Sequence, residues 1–123
     1  MAQLTREEIL KKTKLKTEVV PVPEWGGEVT VAELETEEMA LWQVSFEAMG
    51  KADERVSQLR QSIVARVVVD KNRKPIFKQE DVAALGKMSY AAVDRVFEVA
   101  SRLNRILKKD QDELVKNSEE ASS

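Results

Sequence analysis

The stretch Met88 to Leu107, MSYAAVDRVFEVASRLNRIL, carries the cleanest helical period in the chain and constrains everything around it. Val93, Val96, Phe97, Ala100, Leu103 and Leu107 recur at three- and four-residue steps, which stacks them on one side of an α-helix. Ser89 stands where an N-cap belongs. Asp94, Arg95, Glu98, Arg102 and Arg105 fall mostly elsewhere around the helix, so solvent takes that side. The apolar side needs cover, and the upstream residues must supply it.

With 123 residues the chain has material for one core that buries about two thirds of its unfolded surface. The expected organisation is a single globular domain over residues 1–109. A frayed or disordered acidic tail follows over 110–123, where only Leu114 and Val115 are strongly apolar. Twenty basic side chains against 22 acidic ones leave a net charge of −2, so there is no electrostatic case for nucleic acid or an anionic membrane as partner. The run Lys11 to Lys16, KKTKLK, reads as a solvated face.

Cysteine and histidine are both absent. That removes thiolate chemistry, the commonest metal ligand and the usual general base near neutral pH. The acidic pairs Glu7–Glu8, Glu37–Glu38 and Glu80–Asp81 each fall in the first turn of a predicted helix, where a carboxylate answers the helix dipole. Asp70 and Asn72 have the spacing that opens a calcium loop, but the central Gly and closing Glu are missing. Gly26–Gly27 leads into a strand and cradles no phosphate. These absences point away from an enzyme, with no catalytic, cofactor-binding or metal-ligating residue to name. MAQLTREEILKK holds no apolar signal core and no stretch approaches a membrane span, so a cytosolic protein is expected.

Thr5 and Glu8 form a capping box for a short helix from Arg6 to about Lys12, anchored by Ile9 and Leu10. TEVVPV (17–22) and EVTV (28–31) flank Pro23-Glu24-Trp25-Gly26-Gly27 and predict a β-hairpin, with Pro21 on a sheet edge and Trp25 either folded back over the hairpin's own core or serving as a binding anchor. Thr36 opens a helix to about Met49, stopped by Gly50. That helix is not simply amphipathic: Met39, Trp42, Phe46 and Met49 form one stripe, while Leu41, Val44 and Ala48 form another nearly opposite. Either it is sandwiched within the domain, or one stripe meets a partner or another copy of the chain. If one partner site is to be named it is Met39, Trp42, Phe46 and Met49, adaptable apolar side chains for which a core role competes.

A third helix begins near Asp53, with Val56, Leu59, Ile63 and Val67 on one face and Arg55, Arg60 and Arg66 projecting away. Its expected end is about Val68; the alternative is a short extended piece paired with Pro75–Phe77. A short fourth helix runs from Glu80 to Leu85, stopped by Gly86, with Lys78 where a capping Ser or Thr would stand. The fold class is therefore α+β, a mainly α-helical bundle (helices within about 36–107) with a small N-terminal β-hairpin at about 17–31.

LTREEIL (4–10), LKTEVVPVPEWGGEVTV (15–31), FKQEDVAALG (77–86) and AAVDRVFEVASRLN (91–104) resemble, in order, the tail assembly chaperones of long-tailed bacteriophages and prophages. PEWGGEVTV is the most specific part, and Leu103–Asn104 before an acidic, Ser-rich tail adds to it. The region from Thr36 to Leu59 matches only in being helical, and Lys78 departs from the family's Thr or Ser. The resemblance implies a non-enzymatic factor in the host cytoplasm that binds the tape measure protein, keeps it soluble, helps recruit tail tube subunits and is absent from the virion. In that family a frameshifted longer form contacts the tube protein, and this chain would correspond to the short form. Self-association through the partner stripe also fits. The rival readings are a structural tail component, such as a connector or completion protein, and a small regulatory binding protein.

Overall fold

The structure, a computed structural model, describes residues 2–106 together with Gln111 and Asp112. Five helices and three strands follow in the order α1 (Arg6–Leu10), β1 (Thr17–Val22), β2 (Gly27–Ala32), α2 (Thr36–Glu47), α3 (Ala52–Val67), β3 (Val68–Val69), α4 (Asp81–Leu85) and α5 (Tyr90–Leu103). The class is α+β. The β part is an antiparallel sheet in the order β1-β2-β3, one strand more than the expected hairpin.

The hairpin pairs Val20 with Val29 and Val22 with Gly27, closing through a 3-10 turn at Pro23–Trp25. Gly26 ends that turn at φ +75, a left-handed conformation that glycine adopts without steric cost. Glu33 N–H donates to Lys16 C=O at 2.8 Å, so the hydrogen-bonded pairs recur at even-numbered residues of β1. Pro21, with no N–H to give, thus falls on the free edge. Val20, Val22 and Val31 are buried beneath the sheet, and Trp25 packs back against the same core.

β3 corrects one expectation. α3 stops at Val67, Val68 turns extended at ψ 120, and Val68–Val69 pair with Thr30 and Val31 of β2. Ile76 N–H returns to Val68 C=O and Val69 bridges Pro75, which is the alternative of an extended piece. Three consecutive β-branched residues gain little as helix and fit a pleated buried surface, so tertiary pairing decides. Asp70 closes the turn by accepting from the N–H groups of Asn72 and Lys74, the work of a turn carboxylate.

Four smaller expectations also change. Arg55 does not project away: it is 5% exposed and its guanidinium donates to Glu47 C=O, tying α3 to the end of α2. Val56, assigned to the inner face, is exposed. Ile9 and Leu10 anchor nothing within the described chain, since α1 buries no residue, although the Thr5–Glu8 capping box forms as read. Asp81 compensates for Lys78 by accepting from the Lys78 N–H at 2.7 Å. Of the tail read as 110–123, all but Gln111 and Asp112 lie outside the described residues, as does Leu107.

α5 is the keystone. Ser89 caps it by accepting from Ala92 N–H, and Ala92, Val93, Val96, Phe97 and Ala100 are buried against α3 and the hairpin. It ends four residues before Leu107. Arg105 adopts φ +55 and Ile106 N–H reaches back to Ser101 C=O at 2.8 Å, a Schellman stop that buries Ile106. Asn104 beside it takes the Leu34 N–H at 2.7 Å and donates to Ala100 C=O and Ala32 C=O. Two ion pairs stitch α5 to the hairpin, Arg95–Glu24 at 2.9 Å and Arg102–Glu18 at 2.7 Å. The hydrogen bond from Arg95, with a backbone bond at Glu24 itself, holds the Glu24 carboxyl below its ordinary value of 4.5.

Two outcomes follow. Asn104→Ala leaves the part-buried Leu34 N–H without its acceptor and should lower stability by about 1–3 kcal/mol in urea unfolding. Because the folded pKa of Glu24 is depressed, its contribution is present above pH 4.5 and lost as pH falls through the folded value. The melting-temperature gap between the wild type and Glu24→Gln should therefore close on going from about pH 6 to about pH 3.

Candidate functional site

α2 packs against α3 along one side only. Its N-terminus is fixed by Glu38, whose carboxylate accepts from the Glu35 N–H at 2.9 Å, and by Arg73, which lies near both carboxylates while donating to Glu33 C=O. Of the expected partner stripe, Trp42 and Phe46 are buried, their rings stacked with centroids 5.2 Å apart. The Trp42 indole N–H donates to the buried Ser62 hydroxyl, which in turn donates to Leu59 C=O, so the ring's one polar atom is satisfied inside the core. Met39 and Met49 are half-buried at the margins of that core.

The opposite stripe is in solvent. Leu41 and Val44 are 56% and 67% exposed, with Ala48 exposed beside them. The two sides of α2 thus divide as the sequence period places them, one inside and one without cover. Between them, on the α5 side, Leu34, Met39, Ala40, Gln43 and Leu103 line an open groove of about 370 Å³. Its floor is pinned by Asn104, which joins the end of α5 to the β2–α2 connection. Met39 is the one residue of the named stripe that reaches this groove; Met49 instead lines a second groove with Gln58, Gln61 and Val82. Sequence reasoning missed the first groove because part of its wall, Leu103, Asn104 and Arg105, comes from the distant end of α5, and only the apolar positions of Leu34 and Leu103 hinted at it.

Among the described residues no cluster of three or more acidic side chains is placed to hold a metal ion. Arg60, expected to project away from α3, is committed to Asp94 at 2.9 Å and lies over the rings of Tyr90 and Phe97. No described helix is long and apolar enough to cross a membrane. What the molecule offers is apolar contact surface on and beside α2, which suits binding a helix or strand of another chain.

Comparison with known proteins agrees in kind. Residues 5–121 match the family described as phage tail assembly chaperone. Among solved structures, the tail assembly chaperone of bacteriophage HK97 superposes with a TM-score of 0.54 at 20% identity, covering 79% of this chain and 91% of that one. At that identity the likeness is one of fold. Curated protein sequences give no match.

The two stripes of α2 have different energetic weight. Phe46→Ala should cost about 3–5 kcal/mol through lost contacts and a cavity. Leu41→Ala, on the exposed side, should stay within about 0.5 kcal/mol. Urea unfolding of the two variants under one condition checks both.

Proposed function

Because the chain belongs to the phage tail assembly chaperone family, we propose that it binds the tape measure protein in the host cytoplasm, keeps it soluble and helps recruit tail tube subunits. The observation that carries this reading is the family match across residues 5–121, which takes in the hairpin and α5 as well as the helical middle. The mechanism is binding rather than catalysis. A tape measure protein is long and helical, and before assembly its apolar faces have no partner. An open apolar groove on a rigid floor gives such a helix a place to bury one face.

The groove between α2 and α5 meets that need. Leu34, Met39, Ala40 and Leu103 supply apolar walls, and Met39 can re-pack its unbranched side chain around helices of varied sequence. Adaptability matters for a chaperone, which must hold many turns of one long partner with a single small surface. Once tube subunits polymerise around the tape measure protein, they cover the same apolar faces and release the chaperone, which leaves the finished particle without it.

Co-expression with the tape measure protein of the same phage is the test. The soluble fraction of that protein should rise clearly when this chain is present, and the two should co-purify. Ala40→Arg places a long charged side chain in the groove from an exposed position, so it should melt like the wild type yet lose the complex. No gain in solubility, with this chain found instead in purified tails, would overturn the chaperone mechanism and favour a structural tail component.

A further inference from the structure

The groove between α2 and α5 opens at the point from which the C-terminal segment 107–123 departs. Leu103, Asn104 and Arg105 form one of its walls, and Ile106 is buried just beyond. Leu107, Gln111, Leu114 and Val115 recur at four-, three- and one-residue steps, so on a helix they share one face, while Asp112 and Glu113 fall on the other side. The two described residues of the segment obey that division. Both are helical; Gln111 is half-buried, its amide donating to Ile106 C=O at 3.3 Å, and Asp112 is exposed.

Past Thr36, which lines both, the groove continues into a recess walled by Lys12, Lys14, Leu15, Glu35 and Arg73. Among the described residues Lys11, Lys12, Lys14 and Lys16 enter no ion pair. Residues 110–123, in contrast, set Asp110, Asp112, Glu113, Glu119 and Glu120 against Lys116 alone. Lys16 C=O accepts from Glu33 N–H, and the next residue, Leu34, gives its N–H to Asn104, so the basic run and the root of the C-terminal segment are neighbours.

We propose that the segment 107–123 folds back into this groove of its own chain and competes there with the partner helix. Leu107, Leu114 and Val115 cover Leu34, Met39, Ala40 and Leu103, while Glu119 and Glu120 reach the lysines beyond Thr36. Three features on one path assign the occupant: an apolar face that begins at the groove's own wall, opposite charge past its end, and a tether that keeps the local concentration high. Covered in this way, the free chain shows no open apolar groove to chance contacts until its partner arrives. The fold-back stands without the tape measure reading; the competition rests on it.

Methyl NMR of the full-length chain tests the fold-back. The chain has no cysteine, so Asn117→Cys takes a single nitroxide. That label should broaden the methyl resonance of Met39 in the groove and leave that of Met88, at the opposite end of α5, sharp. Adding Leu114→Glu with Val115→Glu should restore Met39, and raising ionic strength from roughly 0.05 M to roughly 0.5 M should restore it in part. Unlabelled, the same double variant should bind the tape measure protein about tenfold more tightly, the factor for a groove covered in about nine chains of ten. A Met39 resonance that stays sharp beside the labelled segment, or stays broad in the double variant, would overturn the fold-back. Broadening that arises equally from a nitroxide on a second, isotopically silent chain would assign the segment to another copy and overturn it too. Unchanged affinity with Met39 restored would overturn the competition. A tape measure protein that neither form binds would sink the tape measure reading, with the fold-back still decided by Met39.

Discussion

The structure depends on the seating of one amphipathic helix across a small sheet. α5 lays Ala92, Val93, Val96, Phe97 and Ala100 over the valines of β1 and β2 and against Leu59, Ile63, Val64 and Val67 of α3. Full burial of one such aliphatic or aromatic side chain stabilises by about 1.5–3 kcal/mol, and a domain of this size has only about 5–15 kcal/mol in total. Among the described residues, no other element joins the sheet to α3 over so many positions. The hairpin, which would be marginal alone, exists because α5 covers one of its faces. The helix must also stop at the right residue, since a further turn would carry Ile106 away from the core. Arg105 accepts an unfavourable left-handed conformation to make that stop, and Asn104 turns it into a fixed joint with the β2–α2 connection.

That arrangement leaves α2 in an unusual position. It docks on α3 through Trp42 and Phe46, and no layer of the described residues lies beyond it, so the side bearing Leu41 and Val44 stays in water. Folding alone does not call for leucine and valine there; a glutamate or lysine at either position would serve a surface helix equally well. Exposed apolar residues in one row along one helix mark a surface kept for contact. The same holds for α1, whose well-formed capping box specifies a helix that the domain does not bury.

Much of this was legible in the residues, and the failures share a cause. The α5 period, the Ser89 cap, the Thr5–Glu8 box, the edge position of Pro21 and the folded-back Trp25 are local signals, and local signals survive in a sequence. The two stripes of α2 were visible as well, because they follow from the helical period alone. What could not be read is where distant segments meet. Val68–Val69 became a strand because β2 offered an open edge at that point. Arg55 is buried because the end of α2 presents a carbonyl to it. The groove beside Met39 exists because Asn104 brings the end of α5 to the start of α2. None of these has a sequence period.

α2 also explains why a partner surface is hard to recognise from composition. An ordinary surface helix shows one apolar stripe and a large periodic signal; α2 is apolar on nearly opposite sides, so the two contributions cancel and the helix looks featureless. A fully buried helix looks the same. The charges separate the two cases. Arg73 answers Glu35 and Glu38 at the start of the helix, whereas Glu37 and Glu47 stand exposed beside the outward row, where a helix buried all round could not hold them. One side of α2 therefore faces water in the isolated chain, as the exposure of Leu41 and Val44 shows.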